Sequence, residues 1–338
     1  MDSGNVKGEN AMAIGVISAF VLLAGLILMV KSGSIFTDAS AAFSRKLRLT
    51  ELFVGLIVSS IATSAPEFGV SFLAALQHES DICLGNIFGT VVANIGLGFG
   101  IALLFSEIRT SKEYFLNGYF MIFSALLAFT FATDLKISLF EGLLSLCFFT
   151  AYLFFAYRKR HAAACVVPSS QRESAGAGSK RNNDLTTTTA QSLFSIIFWM
   201  SLGLLGILFS GKMLIWSVVS LASAFGISKL LMSASVVAVG TSIPEIATAA
   251  ISAYKKHPEL ALGVIIGSNI ADVLFIVGFS SVFATISVSD EVALFDIPFF
   301  AFFSSLLLIF MHTGKKLSRF EGVALLALYA FYLYAHIF

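Results

Sequence analysis

The chain has 338 residues, of which 57% are hydrophobic and 12% charged, with a formal net charge of +1. One soluble core of this size cannot bury so much apolar surface, so water is not its only solvent. The near-zero charge points to no partner, and no nucleic acid is expected.

Crossing a hydrocarbon layer of roughly 30 Å takes about 20 mostly apolar residues per helix. The first such run, 11–31, follows Asp2 and Glu9 rather than a basic cluster and has no small-residue cleavage site, so it reads as a retained span and not a signal peptide. Further spans are expected at 52–76, 82–106, 114–133 and 138–157, then at 193–223, 230–254, 260–285, 293–312 and 320–337. The runs are continuous rather than alternating, which favours helices over a transmembrane barrel. The expected fold is therefore an all-α integral membrane protein of ten transmembrane helices. Cys83, Cys147 and Cys165 are scattered, show no metal-binding spacing, and read as small apolar fillers.

Lys and Arg crowd into alternate loops: Arg45, Lys46 and Arg48; Arg109 and Lys112; the stretch from Arg158 to Arg181; Lys255 and Lys256; Lys315, Lys316 and Arg319. The positive-inside bias makes that side cytoplasmic and leaves both termini extracellular, with the plasma membrane as the expected location.

An internal repeat organises the chain. Residues 63–67 read TSAPE and 241–245 read TSIPE, an offset of 245 − 67 = 178 that also pairs Ser32-Gly33 with Ser210-Gly211, Leu84-Gly85 with Leu262-Gly263, and Gly89 with Gly267. Phe140-Glu141-Gly142 matches Phe320-Glu321-Gly322 at an offset of 180. Each copy holds five spans, and an odd number of crossings forces the copies to enter the membrane in opposite senses. The expected organisation is a first repeat over 1–157, a polar cytoplasmic linker over 158–192, and a second, inverted five-helix repeat over 193–338. Such repeats place a substrate site near the bilayer midplane, where discontinuous helices meet.

Acids inside spans mark function. Glu67 and Glu245 occupy matching positions in the second and seventh spans, and Asp272 in the eighth is matched by Asn94 in the third. No Lys or Arg lies in the central parts of these spans, so a cation from outside is the natural counter-charge. Ser60, Thr63, Ser64, Glu67 and Ser71 recur at steps of three and four and make one polar helix stripe; Thr241, Ser242, Glu245 and Thr248 repeat much of it. Asn86, Thr90 and Asn94 are spaced by four, as are Ser268 and Asp272. All offer oxygen, the ligand of hard cations such as Ca²⁺ and Na⁺. Pro66 and Pro244 deprive the carbonyls of Ala62 and Gly240 of their helical donors, exposing further oxygen. Glycines 85, 89, 96, 98 and 100 in the third span, and 263 and 267 in the eighth, are read as close-approach positions. Glu141, Glu321, Asp296 and Asp38 read as interfacial structural residues, and His78, His257, His312 and His336 as residues of loops or helix ends without metal-ligand spacing.

At TSAPE through GNIFGTVVAN (63–94) and GTSIPE through GVIIGSNIAD (240–272) the chain resembles the calcium/cation antiporter superfamily, most closely the prokaryotic sodium/calcium exchangers. The resemblance spans nearly the whole ten-helix body. It implies a secondary transporter and not an enzyme, needing no cofactor, with Ca²⁺ and Na⁺ as cargo and the lipid bilayer as surroundings. It implies Glu67 and Glu245 as shared ligands, with Thr63 and Thr241 adding oxygens for Ca²⁺. Ser64, Ser242, Thr90, Ser268 and the backbone of Ala238 would serve Na⁺, with Asn94 and Asp272 lining the centre. Ser60 lies on the same stripe. The family alternates access by sliding its first and sixth helices over the other eight. Val91 stands where the family keeps the asparagine present here as Asn269. Asp272 also resembles potassium-dependent members, so K⁺-dependent and H⁺/Ca²⁺ exchange are alternatives; an intramembrane enzyme using Glu67 and Glu245, or a cation channel, is more remote.

Overall fold

A computed structural model describes residues 3–46, 64–109, 112–166, 192–254, 258–314 and 316–337. Ser60, Ala62 and Thr63 lie outside these residues. The described chain is built of helices: α1 (Ser3–Lys46), α2 (Ala65–Leu76), α3 (Ser80–Phe105), α4 (Lys112–Phe131), α5 (Leu139–Val166), α6 (Leu193–Phe225), α7 (Lys229–Thr241 and Ile243–Tyr254), α8 (258–283), α9 (292–314) and α10 (Arg319–Ile337). Among the described residues, eight helices are long and apolar enough to cross a membrane, and nine if the two pieces of α7, bent by 46°, form one span. The protein is an integral, multi-pass membrane protein.

Burial sorts the helices into two layers. Of the most apolar windows, 83% of α3 and 72% of α8 are buried, against 22% of α1, α5 and α6. The outer helices turn large apolar side chains such as Phe140, Phe194 and Phe320 outward, as lipid-facing helices do. α3 can sit centrally because its glycines admit neighbours: a methyl group on Gly89 would run into the backbone of Ala234 in α7, and one on Gly96 would lie 2.6 Å from Tyr329 in α10. The expectation fails at Gly263, where nothing comes within 4 Å, because that face of α8 is exposed.

Several elements recur at the sequence offset. π-helical turns begin at Asn94 in α3 and at Asp272 in α8, and each is followed by a six-residue α-helical end. Gly142 of α5 crosses Gly278 of α8, and Gly322 of α10 crosses Gly100 of α3, each glycine meeting the other's carbonyl. Two short antiparallel ribbons pair β1 (Ile108–Arg109) with β4 (Lys316–Leu317), and β2 (Lys136–Ile137) with β3 (Ile286–Ser287). Each ribbon therefore takes one strand from either half. Ion pairs accompany them: Lys316 to Glu107 at 3.0 Å, and Lys229 to Glu79 at 2.7 Å.

Two boundaries differ from the sequence reading. α1 continues past 31 to Lys46, and α5 continues to Val166, inside the stretch expected to be linker. A helix does not end where the hydrocarbon does; its backbone bonds continue in water until a cap or breaker intervenes, and neither extension contains proline or glycine beyond Gly33.

Glu141 and Glu321 are structural, as expected. The Ser138 and Ser318 amides donate to the Glu141 and Glu321 carboxylates at 2.8 and 2.5 Å, and both serine hydroxyls bond the same carboxylates. Each glutamate supplies one arm of a capping box, reaching back to the amide of the residue before the helix, at the starts of α5 and α10. Glu141→Gln and Glu321→Gln are each expected to lower stability by about 0.5–1 kcal/mol, read as an earlier thermal unfolding transition in detergent; an unchanged transition would refute the capping role.

Candidate functional site

The seventh span is broken where the repeated motif places its proline, and α2 begins at the matching place in the second. α2 begins at Ala65, directly after Ser64, with Pro66 in its first turn, where a missing amide leaves no helical bond unmade. α7 breaks between Thr241 and Ile243 and restarts with Pro244 as its second residue. Glu67 and Glu245 therefore sit in the first turns of helical segments, where unpaired backbone amides favour negative charge. Both are fully buried, as are Asp272, Asn94, Thr90, Thr241 and Ser242, with Ser64 and Ser268 at 2% and 1% exposure.

Side chains from the two halves meet pairwise. The Ser64 and Ser268 hydroxyls lie 2.7 Å apart, and the Ser242 and Thr90 hydroxyls 3.2 Å apart. These are the same contact made twice, since 242 − 64 and 268 − 90 are both 178. Asn94 donates to Asn269 at 3.0 Å. The Ala238 carbonyl accepts from Ser242 at 2.6 Å, Thr241 at 3.1 Å and Thr90 at 3.4 Å, so the backbone oxygen singled out from the sequence lies among the site hydroxyls.

The carboxylates are treated differently. Neither oxygen of Glu67 or Asp272 has a hydrogen-bond partner among the described residues, and the Asn94 side-chain oxygen is also unpartnered. Asp272 lies close enough to Glu67 for their charges to interact, with the Ser64 hydroxyl beside Asp272 and the Thr241 hydroxyl beside Glu67. Two neighbouring buried anions without donors are strongly unfavourable alone, by several kcal/mol. A divalent cation, or several monovalent ones, converts that cost into ligation. Among the described residues no group of three or more His, Cys, Asp or Glu side chains could hold a metal ion. The oxygen set is thus mixed, with few carboxylates and many hydroxyls, amides and carbonyls, which suits hard cations and not zinc-like ones.

Two participants were outside the expected ligand set. Asn86 donates to Ser71 at 2.9 Å and to the Glu67 carbonyl at 3.4 Å, while its oxygen accepts from Thr241 at 3.3 Å, so it ties α2 to α7 behind Glu67. Asn269 accepts from Asn94 and donates to the Val91 carbonyl at 3.1 Å. That bond needs only the backbone of residue 91, which is how valine is accommodated there. Asn86 was visible as the first of three polar residues spaced by four; Asn269 lies three before Asp272, the other helical spacing.

The family described as "Sodium/calcium exchanger protein" matches residues 17–158 and 195–338. The sodium/calcium exchanger MaX1 of Methanosarcina acetivorans is 34% identical over 342 aligned positions, covering 94% of this chain and 97% of MaX1. A solved structure of the sodium-calcium exchanger NCX_Mj, soaked with 2.5 mM Na⁺ and 0.1 mM Ca²⁺, superposes with a TM-score of 0.61 at 26% identity, covering 94% of this chain and 97% of the other. The same exchanger soaked with 100 mM Na⁺ and 10 mM Sr²⁺ gives 0.62 at 26% identity, covering 94% and 97%. With both halves matched and an oxygen-lined anionic centre between them, the chain belongs to the sodium/calcium exchanger protein family, a secondary transporter and not an enzyme.

Proposed function

We propose that the chain exchanges Ca²⁺ for Na⁺ by alternating access, with one central site serving both ions. The observation that carries this is the pair of fully buried carboxylates, Glu67 and Asp272, one from each half, close enough for their charges to interact and with hydroxyls rather than basic side chains beside them. Glu245, equally buried, supplies the second repeated acid. Thr241, Ser64, Ser242, Thr90, Ser268, Asn94 and the Ala238 carbonyl surround them, and Thr63 and Ser60 complete the proposed ligand set from outside the described residues. Ca²⁺ and Na⁺ compete for the same carboxylates, and this competition couples their fluxes. A site without cargo leaves acids unneutralised in a low-dielectric interior, so the unloaded carrier crosses reluctantly.

The proposed architecture is ten spans in two inverted five-helix repeats. Its support is the recurrence of π turns, glycine crossings and two-half ribbons. The loop charges support termini on the outer face of the plasma membrane. Purified protein in liposomes loaded with Na⁺ is expected to take up ⁴⁵Ca²⁺ when external Na⁺ is low, and to stop when the Na⁺ gradient is collapsed. Uptake that ignores Na⁺ but follows an opposing proton gradient would replace this reading with H⁺/Ca²⁺ exchange; uptake that ignores both would indicate a channel.

A further inference from the structure

A second buried ionisable cluster lies away from the central site, where the start of α9 packs on the end of α10. The sequence reading placed Asp296 at an interface and His336 at a helix end. The structure instead buries both side chains, at 0% and 1% exposure. The two ring nitrogens of His336 stand at ion-pair distance, 3.0 Å from a Glu291 oxygen and 3.2 Å from Asp296 Oδ1, although neither is aligned for a hydrogen bond. The Tyr332 hydroxyl donates to Asp296 Oδ1 at 2.7 Å, and Asp296 Oδ2 has no partner among the described residues. Glu291 is 46% exposed and is the cluster's contact with solvent. Asp296 and Glu291 on α9 and Tyr332 and Tyr329 on α10 are the titratable groups of this cluster, and the Phe295 ring covers the imidazole edge-on at 5.1 Å.

The chemistry of the ring decides what this cluster holds. A neutral imidazole has one N–H and one lone pair, so it can donate to only one of two flanking carboxylates and turns a lone pair on the other. Only the doubly protonated ring places a positive charge between the two carboxylates. Glu291 and Tyr332 have counterparts in Glu113 at an offset of 178 and Tyr152 at 180, but the pair of Asp296 and His336 breaks the repeat: the same offsets put Gly118 or Leu116 opposite Asp296, and Arg158 or Ala156 opposite His336. Inverted halves make the two membrane faces alike, so a feature present in only one half can tell the faces apart.

We propose that His336, held by Asp296 and Glu291, is a proton-binding site separate from the central cation site, through which pH on one membrane face adjusts exchange. Protonation from solvent by way of Glu291 fastens α10 to the π turn at 292–296. Loss of the proton leaves a neutral ring between two anions and releases that end. α10 also packs on α3 through Gly96 and Gly100, next to Asn94, so the released contact reaches the helix that carries the central site.

The test is ⁴⁵Ca²⁺ exchange in oriented proteoliposomes, with pH stepped from about 6 to about 9 separately on each face. Wild type is expected to slow about fivefold more than His336→Gln when the step is applied on the face bearing residue 336, and equally when it is applied on the other. Matching wild-type and variant profiles on both faces would overturn the proposal; protons competing at the central site act equally in both proteins and cancel in the comparison. A second arm needs no transport activity. In ¹⁵N-histidine spectra of the protein in lipid nanodiscs, the signal missing from His336→Gln is expected to show two N–H groups in wild type and to lose one at a lower pH in Asp296→Asn than in wild type. A neutral His336 ring at about pH 7 in wild type, or an unchanged titration in Asp296→Asn, would likewise refute it.

Discussion

Glu67→Gln is expected to abolish Na⁺-dependent Ca²⁺ uptake while leaving the protein folded. The substitution keeps the shape of the side chain and removes one negative charge from a site where both Glu67 oxygens are buried without donors. Losing one charged ligand to a cation, at about 3 kcal/mol, lowers affinity roughly a hundredfold. Stability should move the other way. An uncompensated buried anion opposes folding, so in ion-free detergent the variant should unfold at the same temperature as wild type or higher. The pairing of these outcomes is the informative part: a residue needed only for packing would lose both activity and stability. In the wild type, adding Ca²⁺ should raise the unfolding temperature, and in Glu67→Gln that increment should largely vanish. Uptake within twofold of wild type would remove Glu67 from the site.

The parts of the fold that could be read in advance are those encoded locally. Apolar runs mark where helices must lie because the bilayer imposes their length, and the repeated Thr-Ser-x-Pro-Glu marks where α2 begins and α7 breaks because proline cannot donate in mid-helix. What could not be read depends on geometry between helices. The π turns at Asn94 and Asp272 carry no composition signal; inserting one residue into a turn re-aims the side chains after it, and only the packed structure says where that is required. Asn269 and Val91 illustrate the same limit, since a side chain from one half bonds a backbone carbonyl from the other and the identity of residue 91 is immaterial to it. His336 lies at a helix end as read, but its burial was not legible, because the π-helical start of α9 brings Asp296 against it. Gly263 erred in the opposite direction, its match to Gly85 holding in sequence while only Gly85 is closely approached.

Gly211→Val is expected to stop exchange without stopping cation binding. α1 and α6 pack against each other along their lengths, with the Gly203 position against the backbone of Phe36 and Gly25 against Leu214 and Met213, so the pair moves most easily as one body. Its seam with α2 is of a different kind. A methyl group on Gly211 would lie 3.1 Å from the Gly69 carbonyl and 3.2 Å from Leu73, and one on Gly69 would lie 2.5 Å from Ile207 of α6. The glycines give this seam low relief, with only Ile207 and Leu73 reaching across against them, which is the kind of surface that the proposed sliding of α1 and α6 over the remaining helices requires. Valine at 211 puts a branched side chain into that seam at about 1–3 kcal/mol of overpacking, and the penalty differs between the two ends of the slide. Neither Gly211 nor its neighbours across the seam are among the proposed ligands, so equilibrium ⁴⁵Ca²⁺ binding should stay within about threefold of wild type while exchange falls at least about tenfold, the ratio equivalent to about 1.4 kcal/mol. Binding and exchange that decline in parallel would mean the seam is merely structural, and exchange at the wild-type rate would mean that α6 does not move against α2.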